Sequence, residues 1–258
     1  SQLNTFTTCP QRYKIIYLDG IRKKHESIEA FVGKLVHGVL EWLYSCENMK
    51  RIYITFDQLC QVYDDQWVTA WHQHIYIADA RKKTDYYYKM GKNCLSNYYR
   101  RYSPTSFDQR VKGTEVELKF SIGDYIFRGI IDRLDHPDPG KWIVHDYKTS
   151  KHPKSKRQAM NDIQLALYQI AVQQNYKEVD NVVLTWHFLR NRSEDSVTHT
   201  PKQQEKLINK LVKIVDKIIA CGSNENNFLP KETLLCNWCY YWEECSAKVG
   251  QNQVKRAD

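Results

Sequence analysis

Apolar side chains at positions 31, 32, 35, 36, 39, 40, 43 and 44 of "FVGKLVHGVLEWLYS" recur every three to four residues, which predicts an amphipathic helix over 31–45. His37 lies at the edge of that stripe, one turn from Gly33 and Glu41. Residues 56–102 keep a helical character but are rich in charge and tyrosine ("RKKTDYYYKMGKNCLSNYYRRY"), and predict an all-helical arm over about 46–110. The period then drops to two. "TEVELKF" (114–120), "YIFRGIIDRLD" (125–135) and "KWIVHDYK" (141–148) read as three meandering strands, with "PDPG" (137–140) as the tight turn between the last two. A basic loop follows, then a helix over about 161–175 and a strand over 181–190. Thr200, Pro201 and Gln203 form an N-cap signature that opens a helix to about 220. The order helix, three strands, helix, strand, helix predicts an α/β core with a mixed sheet, spanning 111–220.

With 258 residues the chain can bury one substantial core, so a single domain over 1–258 is expected. No run approaches the ~18 apolar residues of a membrane span, which predicts a soluble protein with no membrane partner. Lysine and arginine number 38 against 30 acidic residues, and this net charge of +8 suits a polyanionic partner without requiring one. Eighteen tyrosines would suit stacking on bases, and equally an aromatic core. The N-terminus has no apolar leader, so a reducing, cytoplasmic setting is expected and clustered cysteines become metal candidates. The absence of an initial methionine suggests an excised domain.

The candidate chemistry starts in "HDYKTSK" (145–151). Side chains two apart on a strand share a face, so Asp146 and Lys148 project together while His145 and Tyr147 face the other way. A hairpin about the 137–140 turn would bring Asp132 beside Asp146. Two converging carboxylates repel unless a hard cation lies between them, and Lys148 would then orient a hydroxide or a phosphate oxygen. A surface ion pair on an edge strand also shows D-x-K, so the companions matter. Gln164 and Tyr168 are four apart on one helix face, and His37 offers an imidazole. "CNWCYYWEEC" places Cys236, Cys239 and Cys245 in a C-x2-C-x5-C run, with Cys9 as a candidate fourth thiolate. Such a set suits zinc or an iron–sulfur cluster, and spacing does not choose between them. Cys46, Cys60, Cys94 and Cys221 read as ordinary thiols. His72 and His74, two apart on an expected helix, diverge and stay unassigned.

Four patterns occur in order: G-x-x-x-H (Gly33, His37), G-x-x-D-R-x-D (Gly129, Asp132, Arg133, Asp135), D-x-K (Asp146, Lys148) and Q-x-x-x-Y (Gln164, Tyr168). Together they resemble the PD-(D/E)XK nuclease superfamily, in its RecB-like branch with the CRISPR-associated adaptation nucleases and AddB-type nuclease domains, from Cys9 to Cys245. The resemblance implies a restriction-endonuclease-like core with a helical insertion. It implies a metal-dependent deoxyribonuclease, an exonuclease on single strands or ends, serving DNA repair, recombination or CRISPR adaptation. Asp132, Asp146, His37 and the backbone carbonyl of Tyr147 would hold Mg²⁺ or Mn²⁺, with Glu115 a candidate outer ligand. Lys148 would position the attacking oxygen, and Gln164 and Tyr168 would orient Lys148 or the phosphate. Cys9, Cys236, Cys239 and Cys245 would hold a [4Fe–4S] cluster stapling 1–30 to 221–258. Lys148, Lys151, Lys154, Lys156 and Arg157 would track phosphates, with DNA and a helicase or integrase-type protein as partners. A catalytically inactive nucleic-acid-binding scaffold and a zinc-stabilised interaction domain remain the alternatives.

Overall fold

A computed structural model describes residues 2–45, 53–79, 81–103, 110–151, 153, 155–222, 224–250 and 252. In chain order the helices are α1 (Gln2–Thr8), α2 (Pro10–Tyr13), α3 (Ile28–Leu43), α4 (Phe56–Ala70), α5 (Thr84–Tyr102), α6 (Lys156–Ala159), α7 (Ile163–Asn175) and α8 (Pro201–Gly222). The strands are β1 (Glu26–Ser27), β2 (Ile75–Tyr76), β3 (Val111–Ile122), β4 (Tyr125–Asp138), β5 (Gly140–Lys148), β6 (Val179–Phe188) and β7 (Ser193–Val197). Two compact units result, one of Glu29–Trp71 with Asp85–Ile208, the other of Ser1–Ile28, His72–Thr84 and Asn209–Asp258.

The larger unit is built on a mixed five-stranded sheet in the order β3-β4-β5-β6-β7, with α7 packed on it. The β3–β4 turn is two residues long, and Gly123 takes φ 56° there, a left-handed backbone that glycine adopts without steric penalty. Gly140, at φ 72°, does the same where β4 folds back into β5. β5 and β6 pair in parallel, so the chain must cross over, and α7 supplies the crossover. Asp162 caps α7 by accepting from the backbone N–H groups of Gln164 and Leu165. The capping box expected at Thr200 is present: the Thr200 N–H donates to Gln203 Oε1 at 2.9 Å and the Gln203 N–H to Thr200 Oγ1 at 3.4 Å.

Three local expectations are corrected. Residues 71–79 are not helical, so His72 and His74 lie in the turn leading to β2, which pairs in parallel with β1. β7 was not foreseen because "SEDSV" has no apolar alternation; it is an edge strand paired on one side only. α1 and α2 are too short to be stable alone and depend on tertiary packing, so they leave no long periodic pattern. The tyrosine-rich arm also turns inward. Tyr63, Tyr87 and Tyr98 are buried, and Phe31 of α3 meets Trp67 and Trp71 edge-on. Cys46 lies outside the described residues; Cys60, Cys94 and Cys221 are free thiols, Cys94 buried.

A buried polar network occupies the sheet face to which Arg133, His145 and Tyr147 point. The Arg133 side chain is 1% exposed; it donates to Tyr98 Oη at 2.7 Å and Asp135 Oδ2 at 3.0 Å and lies 4.2 Å from the Tyr44 ring centre. His145 bridges Asp135 (2.9 Å) and His187 (2.8 Å), and burial, with the Arg133 charge, brings its pKa down to about 4, so the ring is neutral near pH 7. Arg133→Ala would leave the buried Asp135 carboxylate without its guanidinium and with only His145 as partner. The expected loss is about 3–5 kcal/mol in urea unfolding.

Candidate active site

β4 and β5 pair at Arg133 with His145, and Asp132 and Asp146 are the next residues along the two strands, so the pleat turns both to the face opposite Arg133 and His145. Asp132 Oδ2 accepts the Tyr147 backbone N–H at 2.7 Å. Asp146, only 2% exposed, is ion-paired to Lys148 Nζ at 2.5 Å. From α7, Gln164 donates to Tyr168 Oη at 2.6 Å and to Asp146 Oδ1 at 3.4 Å. The strand pair and the first turn of α7 thus bring Asp132, Asp146, Lys148, Gln164 and Tyr168 into one site.

α3 delivers His37. The helix lies close against the end of β5: a Cβ on Gly33, one turn before the histidine, would stand 3.4 Å from Thr149 Oγ1. His37 Nε2 is 2.9 Å from the Tyr147 carbonyl, and Nδ1 is 3.6 Å from Asp132 Oδ2. A carbonyl can only accept, so the ring proton sits on Nε2 and the Nδ1 lone pair faces the carboxylate. The Tyr147 carbonyl, expected as a cation ligand, is here the anchor that orients His37.

Glu115 completes the group. It interrupts β3 with φ 46°, a left-handed conformation that is strained for a residue with a Cβ. Its neighbours Thr114 and Val116 stay in register with Arg133 and Ile131. A ligand atom from each of His37, Glu115 and Asp132 lies within 4.8 Å of the others. Alternation along "TEVELKF" could equally have turned Glu115 to solvent; only the local backbone places it here.

The electrostatics describe a site short of positive charge. Burial raises the Asp132 pKa to about 7, and the Asp146 charge adds to the rise. Burial also raises Asp146, opposed by Lys148, while burial lowers His37 against the pull of Asp146 and leaves the ring neutral. Burial raises Glu115, with Asp132 adding to it, and likewise raises Tyr168. Three carboxylates thus face one ammonium. Oxygen donors with one imidazole suit a hard divalent cation, and the residues present fit one.

A family model described as the PD-(D/E)XK nuclease superfamily matches residues 1–246. The chain belongs to that superfamily. Among solved structures, this nuclease is similar to a protein from Eubacterium rectale described provisionally as an exonuclease, with 16% identity over 93% of this chain and 84% of that one, at a TM-score of 0.53. Likeness at that identity speaks for the fold. The structure of SSO0001 aligns over 93% of this chain and 95% of its own at 15% identity, with a TM-score of 0.38 that supports no further comparison. No curated protein matches the sequence.

In the smaller unit of the nuclease, Cys9, Cys236, Cys239 and Cys245 line one pocket with Arg12 and Ile15. The Lys231 N–H donates to Cys9 Sγ at 3.4 Å and the Thr233 N–H to Cys236 Sγ at 3.5 Å. Among the described residues, the close group of potential metal ligands is His37, Glu115 and Asp132, and these cysteines do not form one. In the basic loop, Lys151 and Arg157 are exposed; Lys154 and the Lys156 side chain lie outside the described residues. No described helix is long and apolar enough to cross a membrane.

Proposed function

We propose that this nuclease hydrolyses DNA phosphodiester bonds, from ends or on single strands, using Mg²⁺ or Mn²⁺ held by His37, Glu115, Asp132 and Asp146. The observation that carries the reading is that Asp132 and Asp146 adjoin the Arg133–His145 pair on neighbouring strands, with Lys148 ion-paired to Asp146. When bound, the cation makes water a stronger acid and offsets charge that develops on the phosphate. Lys148, held as a donor by Asp146, positions the attacking oxygen. Gln164 and Tyr168 fix the remaining oxygen of Asp146 and so keep the lysine aimed. His37, anchored through Nε2 on the Tyr147 carbonyl, keeps its lone pair directed into the site. Preference for ends, a place in repair, recombination or CRISPR adaptation, a helicase or integrase-type partner and a cytoplasmic setting rest on the resemblance to the RecB-like branch.

The same reading places a [4Fe–4S] cluster on Cys9, Cys236, Cys239 and Cys245. Support comes from four sulfurs, drawn from both ends of the chain, around one pocket with backbone N–H groups on two of them.

The test is digestion of end-labelled single-stranded, duplex and circular DNA with Mg²⁺, with Mn²⁺ and with chelator. Linear DNA is expected to be degraded only with metal, and circular DNA to survive. Degraded circles would overturn the end dependence. Binding without any cleavage would give the protein to the scaffold reading.

A further inference from the structure

α8 carries lysine at positions 202, 206, 210, 213 and 217, spaced by four, four, three and four residues. At 3.6 residues per turn these five fall within an arc of about 80°, and at 1.5 Å per residue they run along about 22 Å. All five are exposed, and none joins an ion pair among the described residues. Like charges three or four apart weaken a helix, so the row is a standing repulsion within the free protein. Resting on the nuclease reading above, we propose that this lysine face of α8 binds the phosphate backbone of duplex DNA, outside the residues that carry out hydrolysis.

Several features of the helix choose the partner. A polyanion relieves the repulsion, since each phosphate neutralised releases condensed counterions. The helix contains no Phe, Tyr or Trp, so it offers no platform for unstacked bases, as a single-strand site would require. It has no arginine for bidentate readout of base edges either, so recognition is of charge and shape and is independent of sequence. Its length matches the rise of six to seven base pairs at about 3.4 Å each. A basic amphipathic helix can also lie on a membrane, but here most of the apolar face is occupied within the protein: Leu207 and Leu211 are buried and Ile214 and Ile218 pack against Phe6, Tyr13 and Phe228, with Ile219 the large apolar side chain left exposed.

The test compares the full chain with two variants, one with Lys→Gln and one with Lys→Arg at all five positions. Glutamine and arginine preserve helix propensity, and far-UV circular dichroism with thermal melting confirms that each variant folds. Binding to a labelled blunt duplex is titrated without divalent metal over a salt series, and to vesicles of phosphatidylserine and phosphatidylcholine in parallel. The Lys→Gln variant is expected to bind duplex about tenfold or more weakly near 0.1 M salt, with a log–log salt slope shallower by about 3, as loss of three to four phosphate contacts implies. The Lys→Arg variant should retain wild-type binding, and no form should bind vesicles. Wild-type affinity and slope in the Lys→Gln variant, or vesicle binding that this variant loses, would overturn the proposal. Metal-dependent cleavage is measured separately. A wild type that cleaves while the Lys→Gln variant binds normally defeats only the lysine face; a wild type that neither binds nor cleaves defeats both.

Discussion

Asp132→Asn is expected to lower cleavage by about 10²–10³-fold or more while raising the melting temperature of the metal-free protein. Activity falls because the substitution removes a charged oxygen ligand from the group formed with His37 and Glu115. Stability rises because asparagine keeps an oxygen that can accept the Tyr147 N–H yet no longer sets a buried negative charge against Asp146. The sign follows from linkage. A carboxyl whose folded pKa lies above its unfolded value contributes stability below the unfolded value, and that contribution is lost as pH rises through the folded one. For Asp132 the window runs from the ordinary carboxylate range up to about 7. Wild-type protein without metal should therefore lose stability relative to Asp132→Asn across that window, most visibly above neutrality. Each kcal/mol corresponds to about 2–4 °C in a chain of this size. Lys148→Ala serves as the contrast: cleavage falls comparably, but stability falls too, because Asp146 is left buried without its ion pair. Calorimetry beside an end-label assay reads both signs. An active Asp132→Asn variant, or one less stable than wild type above neutrality, would sink the account of the site.

Cys239→Ala is expected to abolish the brown colour and the iron content of anaerobically purified protein, and to lower its melting temperature by 10 °C or more. The smaller unit has little apolar material to hold it. Its described clusters are Phe6, Tyr13 and Phe228, and Ile15, Ile16 and Tyr241, each bordered by only a few partly buried residues. Units with small cores depend on staples. A cross-link between Cys9 and the C-terminal run closes nearly the whole chain into a loop, for which unfolded-state entropy alone gives about 5.4 kcal/mol by analogy with disulfides. Iron and acid-labile sulfide analysis with visible absorption settles the occupant. Stoichiometric zinc in a colourless protein would reassign the pocket, and a melting temperature unchanged by the substitution would refute the structural role.

Much of the candidate hairpin was legible in the sequence. Alternation assigns "KWIVHDYK" to a strand and puts Asp146 and Lys148 on one face, but the β4–β5 register shifts by one residue between Asp135 and Asp138, which no local pattern announces. The capping box at Thr200 was equally plain, because a cap is a local interaction among residues three apart. His72 and His74 misled for the complementary reason: the helical pattern on either side says nothing of where a helix stops when the chain turns away to pair with a distant strand.

By itself, the sequence determined the strand faces, the placing of Asp146 and Lys148 on one face of β5 and the cysteine spacing, since each depends on backbone periods and neighbours close along the chain. Only the tertiary structure decided that Glu115 joins His37 and Asp132, that the Tyr147 carbonyl holds His37, and that Arg133 is sunk in a network of tyrosines and histidines. Those outcomes turn on a left-handed residue in β3, on the approach of α3 to the end of β5, and on side chains far apart along the chain. No local period encodes them, because they exist only once the core has closed.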